Sequence, residues 1–239
     1  GSLAVVLADS LLNRLMVTLL QYISSPRDGQ SVRILIQTVG MISRTVGYRL
    51  GTHLPSIVPL FLSYLGQPEQ EEDEEEDDEK DELRENILHA FESFAMRCPQ
   101  EVSPFRQELL DTCMKFIEYD PNYNYDDSDE EMEDYSDDEF SEGEYSDDDD
   151  TSWKVRRAAI KVVRAFVVSR PELLVNFFEQ CSTALLVRFK EREDSVKLDI
   201  INCYEDLLRT LVVASNVTSR PGSVSTQENM ETKDTKICR

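Results

Sequence analysis

Four serines are each followed by acids one and three positions on: Ser128 (Asp-Glu-Glu), Ser136 (Asp-Asp-Glu), Ser141 (Glu-Gly-Glu) and Ser146 (Asp-Asp-Asp). Acidophilic, casein-kinase-type enzymes favour this pattern, so all four are phosphorylation candidates; phosphates there add charge to a stretch already dense in carboxylates. Arg157, Lys161 and Arg164 form the second constellation. Their spacings of four and three put three cations on one helix face, where a single acidic partner surface can meet them all. They are the candidate partner-binding residues. Other chemistry is thin. His53 and His89 are the only histidines, and His89 reads as a solvated surface residue. Neither belongs to a cluster with metal-ligand spacing, and no Gly-rich phosphate loop is present. The acidic runs lack the fixed Asp/Gly/Glu spacing of a calcium loop, so weak counterion association is their expectation. The sequence therefore assigns no catalytic, cofactor-binding or metal-binding residue, no cofactor and no small-molecule substrate.

The elements that must position these residues emerge once the charge is partitioned. Glu69 to Glu82 holds twelve acids and Lys80, and Asp120 to Asp150 holds seventeen acids without Lys or Arg. Together they carry −28 against −23 for the whole chain, which leaves +5 on everything else. The acidity thus belongs to two blocks, and the remainder is a mildly basic scaffold. Both blocks read as disordered loops, at 67–80 and 120–150, because mutual repulsion and the lack of apolar residues leave nothing to offset ordering entropy. No apolar run approaches the roughly 18–20 residues of a membrane span. Five cysteines, Cys98, Cys113, Cys181, Cys203 and Cys238, form an odd set without a CxxC pair. They read as reduced, mostly buried thiols of a cytosolic or nuclear protein. The Asn216-Val217-Thr218 sequon is read as chance.

Outside the acidic blocks, hydrophobics recur at i, i+3, i+4 and i+7, which predicts an all-α chain. The helices repeat. Val32-Arg33, Leu83-Arg84, Val155-Arg156 and Val196-Lys197 align as an apolar anchor followed by a base. Four residues on stand Ile36, Ile87, Ala159 and Ile200; seven on, Val39, Ala90, Val162 and Cys203; eleven on, Ser43, Phe94, Phe166 and Leu207. Only Ser43 breaks the apolar column. The last two anchors lie 41 residues apart, and removing the acidic insertions restores that period elsewhere. A period near 40 with two helices per unit is that of HEAT repeats. The partner helices open on Pro55, Pro104 and Pro171, since proline suits a first helical turn. Thr151 or Ser152 is placed as an N-cap.

The predicted architecture is a HEAT-repeat α-solenoid over residues 3–213 with about four helix pairs: 3–23 with 30–47, 54–65 with 81–97, 102–117 with 152–168, and 171–189 with 194–213. Residues 214–239 are predicted to be a disordered tail. Neither end reads as a polar cap, as expected of a piece of a longer array. The bases after the anchors, Arg33, Arg84, Arg156 and Lys197, are expected to ladder with Asp residues of neighbouring units. Offsets +2, +6, +9 and +13 of each anchor helix line the concave surface of such a solenoid, and only the third unit puts three bases there.

Several strings carry a resemblance. Tyr119-Asp-Pro-Asn-Tyr-Asn-Tyr-Asp126, Ser146-Asp-Asp-Asp-Asp-Thr-Ser-Trp-Lys-Val-Arg-Arg-Ala-Ala159, Ala90-Phe-Glu-Ser-Phe94 with Arg97-Cys-Pro99, and Arg188-Phe-Lys-Glu-Arg-Glu193 resemble the cullin-associated, neddylation-dissociated proteins. The likeness covers about residues 26–210 and fits an internal stretch of that family's N-terminal half. It implies a non-catalytic HEAT scaffold that binds the unmodified cullin–RING core. It further implies regulation of ligase assembly, neddylation and substrate-receptor exchange, and a cytoplasmic and nuclear location, with no nucleic-acid or membrane partner. The Glu69–Glu82 block is longer than that family's turn, and the segment after 213 does not continue into a next repeat. The alternative is a nuclear-transport-type HEAT receptor or adaptor whose acidic loop binds basic cargo.

The loop reading makes a first prediction. Deleting residues 127–146 leaves the helical circular dichroism unchanged and the melting temperature within about 5 °C of the parent chain. A larger drop means that this segment packs on the fold.

Overall fold

The apolar columns of the four anchor helices form the interior of the computed structural model, which describes residues 2–25, 28–66, 74–119 and 151–218. In chain order the helices are α1 Asp9–Ile23, α2 Gly29–Val46, α3 Leu54–Leu65, α4 Glu74–Arg97, α5 Arg106–Ile117, α6 Ser152–Ser169, α7 Leu174–Val187 and α8 Asp194–Thr218. No strand occurs among the described residues. The even-numbered helices are the anchor helices. They stack on one another in the order α2, α4, α6, α8, and each also packs on its preceding odd-numbered partner. Val32, Ile36, Val39, Ile87, Ala90, Phe94, Val155, Ala159, Val162, Phe166, Val196, Ile200, Cys203 and Leu207 are all buried. Full burial of each larger aliphatic or aromatic side chain contributes about 1.5–3 kcal/mol, so this continuous stripe dominates the energetics.

Ser43 occupies the one polar place in the columns. It is fully buried, and its hydroxyl shares a 2.7 Å hydrogen bond with that of Ser93 on α4. The pair satisfies both groups and ties the first unit to the second. Nearby, α2 and α4 approach where Gly40 meets Ala90; a Cβ on Gly40 would lie 3.4 Å from that of Ala90. Phe61, Phe91 and Phe94 fill the space below, with ring centroids 6.2–6.3 Å apart. α2 stops at Gly47, whose φ of 61° suits a residue without Cβ.

Several boundaries differ from those read in the sequence. Pro104 and Pro171 sit in short 3₁₀ turns, Ser103–Phe105 and Pro171–Leu173, and the α-helices begin just after them. α4 starts at Glu74, so part of the first acidic block is helix and not loop. The physical reason is position. A helix N-terminus tolerates acidic residue types, because the positive end of the dipole favours negative charge. Asp78 and Asp81 are also bonded from outside the helix, by the Thr151 hydroxyl at 2.8 and 3.4 Å. Burial pushes the Asp81 carboxyl up, against the opposing pull of Arg84, Tyr119 and Thr151. α8 runs to Thr218, five residues beyond the predicted boundary at 213. The second acidic block, with Ser128, Ser136, Ser141 and Ser146, lies outside the described residues, as do Cys238 and residues 219–239.

Thr151 precedes α6, but its side chain makes no cap hydrogen bond. Ser152 is no cap either; its hydroxyl accepts from Arg156 Nη1 at 2.8 Å. Arg156 is the largest fully buried side chain, 1% exposed. Its Nε and Nη2 donate to the two carboxylate oxygens of Glu191 at 3.1 and 3.2 Å, and Nη1 also reaches the Tyr119 carbonyl at 3.1 Å. Glu191 takes a further bond from Arg188 at 2.6 Å and from the backbone N–H groups of Arg192 and Glu193. One guanidinium thereby joins the end of α5, the start of α6 and the turn before α8. The expected ladder of bases is realised at Arg33, which reaches Glu82 of the next unit at 2.9 Å, and at Arg156. The carboxylates there are Glu, not Asp. Arg84 and Lys197 pair within their own helices, with Asp81 and Asp194.

Burial opposes ionisation of Glu191, yet Arg156, the Glu193 N–H and Arg188 hold its carboxyl below the usual range. Its contribution to stability is therefore full above the ordinary Glu value of about 4.3 and is lost as pH falls toward the lowered one. Arg156→Met leaves a buried carboxylate with fewer partners and costs about 3 kcal/mol in urea unfolding at pH 7. The cost shrinks as pH is lowered below about 4. A cost under about 1 kcal/mol at pH 7 contradicts this reading.

Candidate partner-binding face

The stacking order brings one exposed edge of each anchor helix onto a common surface. Arg157, Lys161 and Arg164 do share one face of α6, at 38, 29 and 42% side-chain exposure. They are not open cations. Arg157 Nε donates to Asp199 on α8 at 2.7 Å, and Arg164 Nε to Asp206 at 2.6 Å. Lys161 Nζ lies 4.0 Å from Asp199. The bond to Asp206 pushes the Arg164 guanidinium up from its ordinary range. The sequence places these bases as candidate partner contacts; here they are also paired with acids of α8. They form one side of a ladder between the third and fourth units. Asp199 and Asp206 were missed because they stand one position past the concave offsets, at +3 and +10 from Val196. Those positions point along the stack, toward α6.

On the other side of α6, α4 presents Glu85, His89 and Glu92. His89 is not a solvated residue. Its Nε2 lies 3.4 Å from Glu85, its Nδ1 3.3 Å from Glu92, and its side chain is 27% exposed. These two carboxylates push the imidazole above its usual pKa, against burial. In return His89 holds both carboxyls below theirs, with smaller help from Lys161 across the α4–α6 seam. The inner face therefore alternates in sign from helix to helix: acidic with one histidine on α4, basic on α6, acidic on α8. Each column is compensated by its neighbour, which suppresses a single-sign field.

Between α2 and α4 the ladder gives way to a groove of about 730 Å³. Its walls include Gln37, Met41 and Arg44 of α2 and Glu85, His89 and Met96 of α4. In α2 the offsets +5 and +12 are Gln37 and Arg44, while α4 carries Leu88 and Ala95 there. Both long polar side chains of α2 are exposed, whereas Leu88 and Ala95 are buried. Met41 and Met96 are 42 and 48% exposed and give adaptable apolar contact. His53 lies apart, with Nε2 2.9 Å from Asn13, and burial lowers its pKa. Among the described residues, no group of His, Cys, Asp and Glu is placed to hold a metal. No described helix is long and apolar enough to cross a membrane. Cys98, Cys113, Cys181 and Cys203 are buried free thiols, and burial pushes them up, Cys98 to about 11 and Cys181 and Cys203 to about 12.

This surface and these stacked antiparallel pairs define a HEAT-type α-solenoid, a scaffold that offers one continuous inner face. Its backbone is similar to yeast importin-beta (Kap95p) at a TM-score of 0.59, covering 85% of this chain and 22% of that one. A Kap95p complex with RanGDP gives 0.62 at 16% identity, with the same coverage. At that identity the likeness is one of fold alone. No protein-family model matches the chain. Curated relatives do. The sequence is 40% identical to Cullin-associated NEDD8-dissociated protein 1 of Drosophila melanogaster over 83% of this chain. Identity is 42% to protein 1 of Arabidopsis thaliana over 96% of the chain, and 44% to protein 2 of Mus musculus over 87%. The chain belongs to the cullin-associated NEDD8-dissociated family, and it spans 15 to 18% of the length of these relatives.

Two predictions test the ladder. Arg164→Glu faces Asp206 with a like charge and lowers stability by about 0.5–1 kcal/mol, a modest cost because the pair is half exposed. The swap Arg164→Glu with Asp206→Arg recovers most of it; no recovery in the double mutant rules out a direct pair. For His89 the sign is the reverse of Glu191. Its raised pKa makes its contribution full below about 6.5 and lost as pH rises through the folded value. His89→Gln is therefore destabilising at pH 6 and closer to neutral at pH 9, read from thermal melts. An equal effect at both pH values contradicts the assigned contacts.

Proposed function

We propose that this chain is part of a non-catalytic scaffold that binds the unmodified cullin–RING core. By occupying that core, the scaffold regulates assembly, neddylation and substrate-receptor exchange of the ligase. The observation that carries the reading is the 40–44% identity, across most of the chain, to relatives named as cullin-associated and NEDD8-dissociated. The inner face supports it physically. A solenoid recognises a large partner through an extended surface, with affinity spread over many contacts. The partner-facing edges here are the outer rims of Arg157, Lys161 and Arg164 and the groove between α2 and α4. Because the three bases already hold acids, they set register and association rate more than affinity. Ser128, Ser136, Ser141 and Ser146 are the modification sites in this reading, and the setting is cytoplasmic and nuclear. The fold shared with importin-beta assigns no cargo.

The test is capture of the chain on three immobilised baits: an unmodified cullin–RING core, the same core carrying its ubiquitin-like modifier, and a basic localisation peptide. The reading predicts retention on the first and loss on the second. Equal retention on both cores, or retention on the basic peptide alone, contradicts it.

A further inference from the structure

The groove between α2 and α4 has a polarity along its length. Three contacts at rising positions show that the two helices run in the same direction: Arg33 with Glu82, Gly40 with Ala90, and Ser43 with Ser93. Near the start of α4 the wall is acidic, with Glu82 and Glu85. At the far end it is basic, with Arg44 in the last turn of α2 and Arg97 closing α4. Two methionines line it, Met41 and Met96, at 42 and 48% exposure. Ile34, seven residues before Met41 and 54% exposed, carries the apolar side of α2 toward the acidic end. The lining holds one acid more than it holds Arg, so with His89 neutral the groove takes one net positive charge.

These features commit the groove to one occupant. The described residues offer no sheet edge to an extended segment, whereas a groove between two helices suits an amphipathic helix. Glu85 and Arg97 stand about 18 Å apart along α4, the length of roughly three helical turns. A helix favours acids in its first turn and bases in its last. Antiparallel to α2 and α4, such a helix brings its basic end to Glu85 and its acidic end to Arg44 and Arg97. Its dipole then opposes theirs. Parallel docking sets like charges together at both ends. Apolar side chains at i, i+4 and i+7 meet Met41 and Met96, which adapt to unlike shapes.

His89 already stands where the incoming base must go. Its Nε2 lies 3.4 Å from Glu85 and its Nδ1 3.3 Å from Glu92, while Glu82 is taken by Arg33. The other charges acting on this trio are Arg44 of α2, near Glu92, and Lys154 and Lys161 of α6, near Glu85 and both carboxylates respectively. Protonated, His89 occupies both carboxylates. Neutral, it leaves Glu85 to a partner's cation. Because these carboxylates raise the His89 pKa, a cation that takes Glu85 lowers it again. Docking therefore releases a proton, and by linkage it tightens as pH rises through the folded value, above about 6.5.

We propose that the α2–α4 groove receives an amphipathic helix of a partner protein, antiparallel to both walls. A late Lys or Arg of that helix sits on Glu85, an early Asp or Glu sits on Arg44 and Arg97, and His89 gives up its proton to solvent as the base docks. This rests on the functional reading only in treating the inner face as a protein-binding surface. The probe is a stapled, capped peptide of about 12 residues with Glu in its first turn, Leu at i, i+4 and i+7, and Lys in its last turn. Its twin carries Lys first and Glu last. Fluorescence anisotropy against the full chain gives a Kd of about 10–100 µM for the first peptide and binding at least about 10-fold weaker for the twin. Glu85→Lys with Arg44→Glu and Arg97→Glu inverts that preference. Met41→Ser with Met96→Ser weakens the first peptide about 10-fold. From about pH 6 to about pH 8 its affinity rises about threefold or more, and His89→Gln flattens the rise. Each variant is checked against the parent chain by dichroism and thermal melt. Four results overturn the proposal: neither peptide binds at about 1 mM, the twin binds as tightly as the first, the methionine variants bind like the parent, or the pH dependence survives His89→Gln. No cullin enters this test, so its failure leaves cullin capture standing, and failed cullin capture leaves the peptide result standing.

Discussion

A guanidinium with almost no access to water sits where three helix ends meet. Arg156 is held there by both oxygens of Glu191, the Ser152 hydroxyl and the Tyr119 carbonyl. Burial of a charge is costly, and a guanidinium is tolerated in such a place only when its donors are matched by acceptors. That requirement fixes more than the pair. It sets where α5 ends, since Tyr119 must offer its carbonyl, and where α6 begins. It also sets the turn before α8, since Glu191 collects Arg188 and two backbone N–H groups as well. The segment 120–150 leaves from Tyr119 and returns at Thr151, and both of these residues are held by α4: Tyr119 through Arg84, Thr151 through Asp78 and Asp81. Thirty-one residues so rich in acid can be accommodated because the scaffold pins both ends at one junction.

The same economy governs the inner face. Its charges are many, but they are arranged in columns of alternating sign, so each helix neutralises its neighbour. A scaffold of this kind does not attract partners by one strong field. It offers shape, a repeated register and local departures from the ladder, among them the groove beside Met41, His89 and Met96.

Much of this was legible in the sequence, and the misses have a common cause. The anchor columns follow from helical periodicity alone, because burial of one face leaves a fixed spacing in the chain. Even the exception at Ser43 was visible as an exception, though its partner Ser93 was not. Periodicity tells which face of a helix is inward, but not how far neighbouring helices are rotated. Asp199 and Asp206, one residue past the concave offsets, therefore went unnoticed, and with them the pairing of Arg157, Lys161 and Arg164. The start of α4 was lost for a different reason. Composition treats a run of carboxylates as loop, whereas the helix dipole, Thr151 and Arg84 welcome acids at that end. His89 was read as solvated because its two carboxylates lie at i−4 and i+3, a pattern easily dismissed as a charged surface.

The central claim is that α2, α4, α6 and α8 form one stack, joined in the middle by the packing of α4 on α6 and at the outer junctions by Ser43–Ser93, Arg33–Glu82, Arg157–Asp199 and Arg164–Asp206. Native-state hydrogen exchange in increasing urea tests it most directly, because it reads the opening free energy of each helix separately. The account predicts that the core amides of α4 and α6 merge into a single opening isotherm, with the outer helices fraying at lower free energy. Two separate isotherms, one for α2 with α4 and another for α6 with α8, would mean that the packing of α6 on α4 carries no coupling and that the stack is not one unit.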